Sequence, residues 1–123
     1  MPAVLNGVIY NRFPSGRPVG AIGVALVDYE NGMTLGTQGG EGFDLEIAAA
    51  GSTEVVRYKM KVMSQLGLKD RIEDMLISLN TQYHLIRMIK GSDSLFLYLA
   101  LNKETSNLGM AKYQLSAIDK KLS

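Results

Sequence analysis

Residues 95–101 read "LFLYLAL", a run without charge, glycine, proline, asparagine or serine. A strand with one wet face alternates apolar and polar residues, and this one is apolar throughout. Neighbouring side chains on a strand point to opposite sides, so the leucines face one way and Phe96, Tyr98 and Ala100 the other. Both faces must be covered. A chain of 123 residues has the length of one domain, so the cover must come from helices of the same chain.

The rest of the sequence supplies two such helices and four further strands. "VGAIGVALVDY" (19–29) is rich in β-branched and apolar residues, with Gly20 and Gly23 leaving room for close packing. Asn31-Gly32 follows as a hairpin dipeptide in which both residues accept positive φ, and "MTLGTQ" (33–38) returns as a second strand. After the loop "GGEGF" (39–43), Asp44 is placed to cap a helix over 45–66. Leu45, Ala48, Ala49, Ser52, Val55, Val56, Met60, Met63 and Leu66 recur at helical spacing. With Ile47 and Val62 added, the stripe is wide enough to touch two neighbours. Gly51 costs about 1 kcal/mol mid-helix, which close approach of another backbone would explain. Gly67 is the expected stop.

Three strands are expected over 72–80, 82–90 and 95–102, joined by loops short enough to force an antiparallel meander. "TSN" (105–107) then opens a helix with Leu108, Ala111, Leu115, Ile118 and Leu122 on one face. The expected fold is α/β: a three-layer α/β/α sandwich around a five-stranded antiparallel sheet, spanning 19–123. Residues 1–18 are expected to form a short helix or arm ended by "FPSGRP" (13–18).

Composition excludes several roles. Thirteen basic residues against twelve acidic leave a net charge of +1, without the basic footprint of a nucleic-acid binder. The absence of cysteine removes disulfide and thiol chemistry and fits a reducing cytoplasm. No apolar window is long enough to span a membrane, and the N-terminus lacks the order of a signal peptide.

Four stretches invite a chemical reading. His84 is the one histidine, so a metal site or an activated nucleophile would have to be built around it alone; a structural role is expected. "GTQGGEGF" (36–43) precedes a helix as phosphate-binding loops do. It lacks the following Lys-Ser/Thr, and Glu41 and Asp44 would repel phosphate. Asp70, Glu73 and Asp74 in "KDRIED" (69–74) resemble a carboxylate pair but sit among Lys69 and Arg71, as a solvated turn does. "RYKMK" (57–61) places Arg57 and Lys61 four apart beside Tyr58, a solvated helix face or a partner-docking surface. No catalytic set, cofactor site or metal site is expected.

"GAIGVALVDYENGMTLGT", the long helix, "LISLNTQYHLIRMI", "LFLYLALN" and "SNLGMAKYQL" together resemble the Roadblock / dynein light-chain domain over about residues 19–122. The phrasing is closest to bacterial members associated with Ras-like small GTPases. The resemblance implies a homodimer in which the third strands of two subunits pair at their sheet edges, with the long helices side by side. Met75, Ile77, Leu79, Gly51 and Val55 are then the dimer residues, and Arg57, Tyr58 and Lys61 the partner-docking ones. The strand over 72–80 carries neither proline nor lysine, the usual edge protections. The implied function is a non-catalytic regulator or scaffold binding a Ras-like GTPase. A small-molecule-sensing profilin- or PAS-like module and a generic dimeric adaptor are the alternatives, because the fold is shared.

Overall fold

The alternating apolar runs fold into the expected order of elements in a computed structural model that describes residues 18–122. These are β1 (Ala21–Asp28), β2 (Met33–Gly39), α1 (Leu45–Gln65), β3 (Asp74–Ser78), β4 (Gln82–Met88), β5 (Leu95–Asn102) and α2 (Leu108–Leu122). The arm expected over 1–18 lies, but for Pro18, outside the described residues. The strands form one antiparallel sheet of order β2-β1-β5-β4-β3. The apolar heptad is therefore its central strand.

Each face of β5 has its own helix. Leu97, Leu99 and Leu101 pack with Ala111, Leu115 and Ile118 of α2, while Phe96, Tyr98 and Ala100 pack with Leu45, Ala49 and Val56 of α1. Phe96, Leu97 and Leu99 are fully buried, each worth about 2 kcal/mol relative to exposure.

The helix ends follow the expected chemistry. The Asp44 carboxylate accepts the Ile47 N–H at 3.0 Å, and Asn107 Oδ1 accepts the Met110 N–H at 3.0 Å. Gly67, at φ 71°, turns the chain out of α1. Its N–H donates to the Ser64 carbonyl, and the Leu68 N–H donates to that of Met63. Gly23 admits close packing: a Cβ there would lie 3.1 Å from Gly40 and from Leu45.

The structure corrects several details. The strand expected over 72–80 is confined to Asp74–Ser78, so Leu79 lies just beyond it. The first strand shortens from 19–29 to Ala21–Asp28, and 82–90 to Gln82–Met88. Asn31 does not take positive φ; only Gly32 does, at 74°. The connection is four residues long, so the Gly32 N–H closes on the Asp28 carbonyl at 2.7 Å. Asn31 Oδ1 instead accepts the Met33 N–H. Val55 on α1 and Leu66, the cap just past its end, are exposed, and Thr53 is buried in their stead, its hydroxyl donating to the Ala49 carbonyl at 2.8 Å.

Candidate interaction surface

The side of α1 turned away from the sheet carries Ile47, Gly51, Val55, Tyr58 and Val62, spaced by three or four residues and therefore in one row. Ile47 and Tyr58 are about 70% exposed and Val55 41%, unusual for large apolar groups on one helix. Gly51 lies in the row, and nothing comes within 4 Å of the place its Cβ would take. The close approach expected there is not made by any of the described residues.

The row leans towards the β3 edge. Val55, Tyr58 and Val62 line a shallow groove with Met75. Met75 and Ile77 share the α1 side of the sheet: their β4 partners are Ile86 and His84, and Ile86 packs in the α1 core. Leu76, Ile77 and Leu79 are each at least 36% exposed. Among the described residues β3 has one neighbour, β4, and its outer edge is open. An apolar helix row and an unprotected strand edge thus form one continuous surface.

Arg57 and Lys61 also line a groove over Tyr29, Glu30 and Met60, on the flank of α1 towards β1. The structure brings Met75, Ile77, Gly51 and Val55 to one surface, with Leu79 at its margin. Tyr58 lies in the apolar row rather than wholly with the cations, which the spacing within "RYKMK" did not separate.

The chemical candidates resolve individually. His84 faces α1, its ring edge-on to Phe43 and Tyr98 at 6.0 and 5.5 Å between centroids. Its Nε2 is 2.7 Å from Gln82 Oε1. Burial lowers its pKa and pushes the Tyr98 hydroxyl up to about 12. Gly39, Gly40 and Gly42 take positive φ in the loop before α1, and Asp44 occupies a helix N-terminal donor. Asp74 lies 3.9 Å from Arg87. No group of three or more potential metal ligands occurs among the described residues. No helix there is long and apolar enough to cross a membrane.

A cleft of about 520 Å³ opens where α1 ends, floored by Met60, Met63, Ile72 and Met88. Tyr29 and Asp93 also line it, the tyrosine hydroxyl donating to the Asp93 carbonyl. Burial and the Asp93 charge raise the tyrosine pKa. Sequence reasoning missed this cleft, whose walls come from four separate segments.

Among solved structures the chain is similar to a Roadblock/LC7 domain from Streptomyces avermitilis. That match has a TM-score of 0.78 at 11% identity, over 95% of this chain and 92% of the other. The fold is that of a Roadblock domain. Myxococcus xanthus MglB matches with a TM-score of 0.75 at 15% identity, over 98% of this chain and 83% of MglB. The gliding protein MglB of Thermus thermophilus gives 0.72 at 14% identity, over 92% and 81%. No family model matches the sequence, and no curated protein does. At such identities the likeness lies in the Roadblock architecture.

Proposed function

We propose that this chain is a non-catalytic, cytoplasmic homodimer that regulates or scaffolds a Ras-like small GTPase. The observation that carries the dimer is the continuity of the open β3 edge with the exposed row Ile47–Gly51–Val55–Tyr58 on α1. An uncapped apolar edge invites pairing. A two-fold axis perpendicular to the sheet satisfies it with the same patch from each copy and brings the two α1 helices together. Gly51 then lies where the second helix approaches.

The GTPase partner follows from the Roadblock resemblance, supported by charge. Arg57, Lys59 and Lys61 project from α1 beside Tyr58 and make no ion pair among the described residues. Such a patch steers an acidic partner surface and fixes its orientation. Any stimulation of GTP hydrolysis would come from repositioning the partner's own residues.

The test is capture from host lysate on tagged protein, with GDP or a non-hydrolysable GTP analogue added. The proposal predicts a small GTPase retained mainly in one nucleotide state and lost with Arg57→Glu/Lys61→Glu. Equal retention in both states, or none, contradicts it. The methionine-floored cleft favours a second reading, a small-molecule sensor, because its volume is that of a ligand site. A ligand copurifying in native mass spectrometry would support that reading.

A further inference from the structure

Two hydrogen bonds at the ends of the β3–β4 ladder reveal which backbone groups of β3 are already used. The Met88 N–H donates to the Glu73 carbonyl at 3.0 Å, and the Leu79 N–H to the Gln82 carbonyl at 2.8 Å. Hydrogen-bonded positions alternate along an antiparallel pair, and between these ends Met75 faces Ile86 and Ile77 faces His84. The odd-numbered residues therefore point their N–H and C=O groups at β4. Asp74, Leu76 and Ser78 point theirs at the open edge.

A second antiparallel copy reaches those groups only when even-numbered residues face even-numbered ones. The register centred on Leu76 matches every outward group of the strand. Leu76 then faces its own counterpart, and Asp74 faces Ser78 of the partner subunit. Centring on Met75 or Ile77 leaves one end of the strand unmatched.

A charge selects the same register. Lys103 Nζ is held by Ser78 Oγ at 3.0 Å and the Leu79 carbonyl at 3.2 Å, with no carboxylate paired to it among the described residues. Asp74 and Ser78 share one face of β3, being an even number of residues apart. With Leu76 at the centre, Asp74 of the partner subunit stands opposite Ser78, about 5.5 Å away between Cα atoms, beside that ammonium group.

We propose that two copies join their β3 strands in the register centred on Leu76, each Asp74 pairing with Lys103 of the partner subunit. The inference rests on the dimer reading above and specifies its geometry. Within one chain Asp74 and Ser78 lie at opposite ends of β3, so coupling between Asp74 and Lys103 has to arise between chains.

The absence of cysteine makes the test clean. In the full chain, Leu76→Cys should cross-link to a covalent dimer under mild oxidation. Met75→Cys and Ile77→Cys should react at least about tenfold more slowly, because like residues there would be about 8 Å apart, beyond disulfide reach. A double-mutant cycle of Asp74→Asn and Lys103→Gln on the dimer dissociation constant should be non-additive by about fivefold. Preferential cross-linking at Met75→Cys or Ile77→Cys overturns the register and leaves the dimer standing. A dimer that cross-links at none of the three overturns the strand pairing. A wild-type monomer in sedimentation overturns the dimer reading itself.

Discussion

Arg87 Nε donates to Asp119 Oδ2 at 2.9 Å, tying β4 to α2 across the sheet face that α2 covers. Asp119 is only 2% exposed, and its other oxygen accepts the Lys90 N–H at 3.0 Å. One carboxylate thus answers a guanidinium and a main-chain donor at the end of a strand. A buried charge requires such partners, since its desolvation is otherwise uncompensated.

Asp119→Ala removes both bonds and leaves the guanidinium with only the longer 3.9 Å contact to Asp74. The expected loss is about 3 kcal/mol, read as a lower urea midpoint with an unchanged slope. Asp119→Asn, which keeps an acceptor for the Lys90 N–H, should cost less.

The layered architecture was legible because "LFLYLAL" admits one explanation, cover on both faces, and two helical periods stood ready to provide it. Asp44, Asn107 and Gly67 marked the helix ends through local chemistry. The Arg87–Asp119 bond was not legible: its partners are 32 residues apart, and nothing local distinguishes Asp119 from a solvated aspartate. Val55 and Val56 were equally ambiguous, since a wide stripe hides which of two neighbours faces the sheet. For the candidate site, the row and the edge were readable as apolar positions left over after the core was filled. Their adjacency needed coordinates.

Gly51→Ala should stabilise the isolated fold by about 0.5–1 kcal/mol, because the added methyl meets open space and alanine favours the helix. Gly51→Trp should leave the far-UV circular dichroism unchanged and weaken dimerisation about tenfold or more, measured by sedimentation. The two substitutions separate the cost of a mid-helix glycine from the contact it leaves room for.

His84 carries a pH prediction. Its folded pKa lies below the unfolded value near 6.5, the cause being burial. The unfolded chain therefore binds the proton first as pH falls. The contribution to stability is fully present above about pH 6.5 and declines below it, towards the folded pKa. Urea titrations at pH 7.5 and 5.5 should show a smaller difference for His84→Gln than for the wild type.

Gly20 sits at φ 80°, and a Cβ there would come within 2.9 Å of the Ser106 backbone. Gly20→Ala should cost about 2 kcal/mol or more, from the left-handed conformation and the clash together. Thermal unfolding would record it as a lower midpoint.

If β3 and the outer row of α1 are one interface for a second copy, sedimentation equilibrium will separate the wild type from a variant of that row. Wild type and Val55→Asp would be compared at micromolar concentration. Val55 is 41% exposed, so the charge leaves the monomer fold intact and is buried only on pairing. A wild-type dimer and a folded Val55→Asp monomer are expected. A wild-type protein that stays monomeric, or a Val55→Asp variant that dimerises as tightly as the wild type, would contradict it.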